Sequence, residues 1–143
     1  AIGSNVMQKM LHMLQAYQPS KKRQHMAVVS TADWETVDLS AEGLVVLRQE
    51  NSETAAAGCD KVRAEVGAHA EDGELAGVSV QWVTPPDVHG AEVVLYLFGG
   101  GFLVGSPEDD LSISARLTDL LGRRVCVPRY RLAPEHPFPA ARD

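Results

Sequence analysis

Apolar residues recur at near-helical spacing in the first part of the chain and change to strand-like patterns after it. The spacing predicts an amphipathic helix over Val6–Tyr17, which a Pro-Ser-Lys-Lys run ends. A second helix is predicted to start at Ser40, run to about Ala57 and end at Gly58. The segments that follow either alternate or form apolar runs of strand length, so the sheet is predicted to lie in the C-terminal part.

Two alternating segments after these helices predict an antiparallel hairpin at a sheet edge. Residues 62–66 and 78–83 alternate apolar and polar side chains, as half-buried strands do. The acidic, glycine-containing run 71–74 is the predicted turn between them. A last strand is predicted over Arg124–Val127, because the proline that follows cannot donate to a sheet ladder.

The central feature of the pattern is an apolar run, Val93–Phe98, that ends in three consecutive glycines, Gly99–Gly101. Such a run predicts a strand buried on both faces, as in a parallel sheet covered by helices. Ser106 is then expected to cap a helix from about Pro107 to Leu121, which Gly122 ends. A strand, a glycine loop and a helix start in this order present backbone N–H groups to something negative.

Composition and charge narrow the classes of function. The chain of 143 residues is long enough for one domain, and its net charge of −6 argues against a nucleic-acid or anionic-membrane surface. No apolar stretch reaches membrane length and no signal-peptide core is present at the start, so a cytoplasmic location is expected. Cys59 and Cys126 lie far apart without a C-x-x-C pattern, which indicates neither a metal site nor a disulfide framework.

Three kinds of site use a glycine loop between a strand and a helix, and spacing separates them. A dinucleotide-binding fingerprint needs glycine where Val104 stands. A phosphate-binding P-loop needs lysine after its last glycine, but Gly105 is followed by Ser106 and Pro107. The third kind is the oxyanion hole of ester hydrolases, where glycine N–H groups stabilise the tetrahedral intermediate. The alternative to these three kinds of site is a tight turn with no catalytic or binding role.

A second motif favours the oxyanion hole. Tyr130–Ala141 reads Tyr-Arg-Leu-Ala-Pro-Glu-His-Pro-Phe-Pro-Ala-Ala, and Gly99–Phe102 precedes it. Together the two motifs closely resemble the hormone-sensitive-lipase-like esterases of the α/β-hydrolase fold. The resemblance implies an α/β protein made of the N-terminal half of that fold. Residues 1–60 would form cap helices, and residues 61–143 an antiparallel edge hairpin followed by a β-α-β unit of a mostly parallel sheet.

The resemblance also implies roles for individual residues. The Gly100 and Gly101 N–H groups would be two oxyanion-hole donors, and Phe98, Gly99 and Phe102 would lie at the substrate, with Phe102 beside the acyl pocket. The implied activity is that of a serine carboxylesterase on short- to medium-chain esters. Neither a cofactor nor a metal is expected.

The catalytic serine of the resembled family is absent from this chain. That family carries its nucleophile on a Gly-x-Ser-x-Gly elbow, and this pattern does not occur in the 143-residue sequence. The nucleophile, base and acid are therefore expected in a C-terminal part of the same hydrolase, present as a second chain after cleavage near Asp143, and this chain alone is expected to be inactive. Without a fifth strand, the Val93–Phe98 strand would expose an unpaired edge. The oligomeric state, including a homodimer, is left open.

Two positions depart from the family pattern. Phe98 stands where the family has a histidine that fixes the glycine loop, and Arg129 stands where it has an aspartate. These departures raise a second hypothesis, an inactive hydrolase that binds an acyl ligand or a partner without turnover. A third, a nucleotide-binding domain, rests on glycine content alone. Arg131 and Glu135 are predicted to stabilise the loop after the last strand rather than to contact substrate.

Overall fold

The computed structural model describes residues 38–142, and those from Leu39 onward belong to one compact unit. The helix predicted over residues 6–17 lies outside this range. The elements are, in chain order, α1 (Ala41–Val66), β1 (His69–Leu75), β2 (Val78–Thr84), β3 (Val93–Leu95), α2 (Leu111–Leu121), β4 (Arg124–Pro128) and a short 3-10 helix (Ala140–Arg142). Within residues 38–142, no helix is long and apolar enough to span a bilayer.

The strands form one mixed sheet in the order β1-β2-β4-β3. β1 is antiparallel to β2 and β2 to β4, whereas β3 runs parallel to β4 with Val93 opposite Arg124. The Tyr96 N–H continues this pairing by donating to the Cys126 carbonyl at 2.9 Å. An edge hairpin and a β-α-β unit are therefore present as predicted, although the first hairpin strand lies at other residues than expected. β3 forms the second edge of the sheet within the described range.

The end of α1 was predicted wrongly. The helix continues through Gly58, and residues 62–66, predicted as a strand, form its last turns. Gly67 ends it with φ of 68° and donates its N–H to the Ala64 carbonyl. A glycine inside a helix costs about 1 kcal/mol, which packing outweighs here because Cys59 is buried in the core. The domain boundary predicted after residue 60 thus falls inside α1.

The hairpin turn also lies later than predicted. Residues 71–74 belong to β1 rather than to the turn, which falls at Ala76 and Gly77 with φ of 52° and 84°. Two successive residues with positive φ are typical of a type I′ turn, whose twist matches that of the flanking strands. The acidic side chains of β1 are exposed, and charges on an edge strand discourage pairing with other chains.

β3 is buried on one face, although burial on both faces was predicted. Val94 and Phe98 face the helices, whereas Leu95 and Leu97 are 62% and 60% exposed. The cause is the layering of the described residues, in which α1 and α2 pack on the same face of the sheet. The regular strand is also shorter than predicted, since it ends at Leu95.

The core lies between this helical layer and the sheet. Its buried residues come from both helices, two strands and the connecting loops: Cys59, Ala68, Val83, Phe98, Leu111, Ala115, Val125 and Val127. The helix predicted from Pro107 begins four residues later, at Leu111, after a turn in which Ser106 Oγ accepts from the Asp109 N–H at 3.1 Å. Its predicted end is confirmed, since Gly122 caps α2 with φ of 62°.

Candidate active site

The glycine loop, Gly99–Gly105, lies between β3 and the turn before α2 and folds back on one carbonyl. The N–H groups of Leu103 and Val104 both donate to the Gly100 carbonyl at 3.1 Å. Gly100, Gly101 and Phe102 have φ of 123°, 62° and 62°. Three successive residues with positive φ turn the backbone sharply, which the glycines allow because they lack a Cβ.

The predicted oxyanion donors have no hydrogen-bond partner among residues 38–142. Neither the Gly100 nor the Gly101 N–H donates to a backbone or side-chain acceptor there, and both residues are exposed. The neighbouring Gly99 N–H differs, since it approaches the Asp110 carboxylate at 3.4 Å. The loop thus has two successive N–H groups without an acceptor in the described range, and donors free of other bonds are what stabilisation of an oxyanion needs.

These residues border a cleft of about 970 Å³, a volume suited to a small-molecule ligand. It is formed by the hairpin turn, the glycine loop, the residues after β4 and the final 3-10 helix, namely Leu75–Val80, Leu97–Phe102, Pro128–Arg131 and Ala140–Arg142. The predicted site residues are therefore brought together. Gly99 and Phe102 are exposed, whereas Phe98 is buried and belongs to the core, although it also borders the cleft.

Phe98 is held by an aromatic contact in place of the hydrogen bonds of a histidine. Its ring stacks on Tyr130, with the ring centroids 4.1 Å apart and the planes within 11°. The Tyr130 hydroxyl donates to the Phe98 carbonyl at 2.5 Å, and Phe102 packs edge-on against Tyr130. Burial raises the pKa of Tyr130, so its hydroxyl keeps the proton that it donates. Sequence reasoning missed this role, although Tyr130 opens the second motif.

Asp110 connects the glycine loop to the first turn of α2. Its carboxylate accepts from the Tyr96 hydroxyl at 2.8 Å as well as from the Gly99 N–H. Burial and this bond to Asp110 raise the pKa of Tyr96, so the tyrosine stays a donor at neutral pH. No sequence pattern indicated the role of Asp110.

Arg129, the charge-inverted position, is neutralised by two carboxylates. It bonds to Glu108, with one N–O distance of 2.8 Å, and to Asp72 at 2.6 Å. The Arg129 guanidinium holds the pKa of Glu108 below its usual range. The Arg129 guanidinium is therefore paired, and it joins β1, the turn before α2 and the end of β4.

Replacing Arg129 by aspartate, the residue of the resembled family, is expected to destabilise the protein. A third carboxylate would face Glu108 and Asp72, and we expect the free energy of unfolding at pH 7 to fall by about 1–2 kcal/mol, since these groups are partly solvated. Because the pKa of Glu108 is lowered in the fold, its pairing stabilises above its ordinary pKa and is lost as pH falls. The difference between wild type and Arg129→Asp, measured by urea denaturation, should therefore shrink as pH falls below about 4.5, the ordinary pKa of a glutamate.

Arg129→Leu is the control, because it removes the positive charge without adding a negative one. It should be less destabilised than Arg129→Asp at pH 7. Equal stability of the two variants, or a difference from wild type that does not change with pH, would contradict this account of the charges.

Comparison with known proteins agrees with the fold. Residues 94–143 match a family model described as the alpha/beta hydrolase fold. The chain is 38% identical over 79 residues to versiconal hemiacetal acetate esterase of Emericella nidulans, covering 55% of this chain and 28% of that protein. It is 41% identical over 63 residues to an acetyl-hydrolase of Streptomyces hygroscopicus, covering 44% and 21%.

Solved esterase structures share the fold. Esterase LipW from Mycobacterium marinum superposes with a TM-score of 0.62 at 30% identity, covering 73% of this chain and 35% of that one. A Pyrobaculum calidifontis esterase gives a TM-score of 0.56 at 30% identity, covering 68% and 33%.

The fold and the loop define the N-terminal portion of an α/β-hydrolase. The matched relatives are esterases and acetyl-hydrolases, so the predicted resemblance to an esterase family of that fold is confirmed. The chain spans about a third or less of the proteins it matches, 28% of the Emericella esterase and 35% of LipW.

Proposed function

We propose that this chain supplies the oxyanion-hole loop of a serine carboxylesterase that acts on short- to medium-chain esters. The observation that carries the proposal is the pair of adjacent Gly100 and Gly101 N–H groups, which have no acceptor among residues 38–142 and border the cleft. Two matched relatives are named for acetate or acetyl groups, which supports a short acyl chain. Phe102, exposed beside these glycines, would contact the acyl group.

The chemistry that this site suits is acyl transfer. When a serine attacks an ester carbonyl, the carbonyl oxygen gains negative charge, and two N–H donors stabilise it more than they stabilise the neutral substrate. Loss of one such donor typically costs about 3 kcal/mol of transition-state stabilisation. A histidine, oriented by an aspartate or glutamate, would take the serine proton and return it to the leaving alcohol.

The nucleophile, base and acid would come from a C-terminal part of the same hydrolase, present as a second chain. The edge of β3 supports this arrangement, because Leu95 and Leu97 are exposed and the strand pairs on one side only within the described range. A further parallel strand would satisfy that edge and cover these side chains. A cytoplasmic location, expected from the sequence, stays a prediction.

The complete hydrolase that contains this chain is expected to hydrolyse p-nitrophenyl acetate and butyrate, with turnover abolished by a serine-directed organophosphate. The 143-residue chain alone should show none. Intact-mass analysis of the active particle should find this chain together with a companion polypeptide. Binding of an acyl ligand without turnover by the complete protein would support the inactive-hydrolase alternative, which Phe98 in place of histidine motivates.

A further inference from the structure

Arg48, on α1, contacts two loops that lie far from it in the sequence. Its Nε donates to the Leu103 carbonyl at 2.8 Å, and its Nη2 donates to the Ala133 carbonyl at 2.7 Å. Nη1 and Nη2 also donate to the two carboxylate oxygens of Glu135 at 2.8 and 3.0 Å. One guanidinium therefore bonds to the glycine loop and to the loop after β4 at the same time.

The Leu103 carbonyl is close to the proposed donors along the backbone. The Leu103 N–H donates to the Gly100 carbonyl, which shares its peptide plane with the Gly101 N–H, so the residue that Arg48 holds also bonds to that plane. The loop after β4 joins the same assembly, because the Ala133 N–H donates to the Phe102 carbonyl at 2.8 Å. Arg48 is thus linked to Gly100 through one residue, Leu103, and two hydrogen bonds.

The number of bonds that Arg48 makes indicates that its side chain is held in one position, unlike that of an arginine in a solvent-exposed ion pair. The side chain is 25% exposed, and its planar fork satisfies two carbonyls and both oxygens of one carboxylate. The bond from Arg48 holds the pKa of Glu135 at about 2, so the pair stays ionised at any pH suited to an esterase assay.

We propose that Arg48 is a positioning residue of the oxyanion loop, which it orients through the Leu103 carbonyl so that the Gly100 and Gly101 N–H groups face the cleft. The inference rests on the proposed esterase function. Lysine could not replace the arginine, because a single ammonium group cannot reach the two carbonyls and the carboxylate in the same fork. Sequence analysis predicted a stabilising role for Glu135 but gave it no partner on α1.

The test compares two arginines that both join α1 to another element. In the complete hydrolase, Arg48→Met is expected to lower kcat for p-nitrophenyl acetate by about 10- to 100-fold while KM changes less than about threefold, because misplaced donors affect the transition state more than the substrate. Arg116→Met removes an ion pair between α2 and Glu65 of α1 without reaching the glycine loop, and its kcat should stay within about twofold of wild type.

Two further variants separate positioning from folding. Arg48→Lys keeps the charge and should keep the thermal midpoint, yet should recover only part of kcat. Glu135→Gln removes the ion pair but leaves the Arg48 bonds to the carbonyls of Leu103 and Ala133, so it should lose less activity than Arg48→Met. Equal kcat losses in Arg48→Met and Arg116→Met, or full activity in Arg48→Lys, would overturn the proposal.

Amide hydrogen exchange gives a readout that does not depend on turnover. Exchange of the Leu103 and Val104 amides, which donate to the Gly100 carbonyl, should quicken at least about tenfold in Arg48→Met and stay unchanged in Arg116→Met, since a released loop opens more often. If the wild-type hydrolase is inactive, the proposed function fails, but exchange still decides whether Arg48 orders the loop. Unchanged exchange in Arg48→Met would overturn the inference even in an active enzyme.

Discussion

Gly100→Ala is expected to lower kcat of the complete hydrolase by about 100- to 1,000-fold, the range seen when an oxyanion-hole donor is lost. A Cβ built at Gly100 would lie 2.0 Å from the Val104 carbonyl oxygen and 2.6 Å from its carbon. These are backbone atoms, so no side-chain rotation relieves the overlap. The φ of 123° is also one that residues with a Cβ rarely adopt, so the loop must rearrange and take the Gly100 N–H with it.

Its neighbours in the glycine loop provide matched controls. A Cβ at Gly99 meets no heavy atom within 4 Å, and Gly99 is not among the residues with positive φ, so Gly99→Ala should cost less than about tenfold in kcat. A Cβ at Gly101 also meets open space but at φ of 62°, which adds about 1–2 kcal/mol of backbone strain and predicts an intermediate loss. Steady-state kinetics alongside thermal melts would separate these effects. Comparable losses in Gly99→Ala and Gly100→Ala would refute the oxyanion assignment.

The elements that could be predicted are those with strong local signals. β2, β4 and the cap at Gly122 follow from short patterns bounded by glycine or proline, and the structure has them where expected. The end of α1 was missed because residues 62–66 fit two periods at once. Val62 and Val66 are two steps apart in strand alternation and also one helical turn apart, and tertiary packing against the core decided for the helix.

In the candidate site, too, only the part with a local sequence signal could be predicted. The glycine loop could be predicted, since three glycines after an apolar run are a local signal with a physical cause. The residues that hold the loop could not, because Arg48 lies 55 positions from Leu103 and Tyr130 lies 32 positions from Phe98. Burial of β3 was overestimated for a related reason, since an apolar strand does not specify what covers each of its faces.

Phe98→Ala is expected to cause the largest loss of stability, about 3 kcal/mol in the free energy of unfolding. Phe98 is 5% exposed, belongs to the core and stacks on Tyr130, so truncation leaves a cavity and removes the ring contact. Phe102→Ala is the matched control, because Phe102 is 61% exposed and makes only an edge contact with the same tyrosine. It should cost less than about 1 kcal/mol. Urea denaturation followed by circular dichroism would measure both.

The two variants should rank differently in stability and in activity. Phe102→Ala, with little effect on folding, should change KM and the preference among acyl chain lengths, because the exposed ring would contact the acyl group. Tyr130→Phe keeps the stack and removes the hydroxyl that donates to the Phe98 carbonyl, so it should cost about 1 kcal/mol. If Phe98→Ala proved no less stable than Phe102→Ala, the stack would not be what fixes the loop in place of the histidine. The glycine loop would then have to be held by its hydrogen bonds to Asp110 and Arg48.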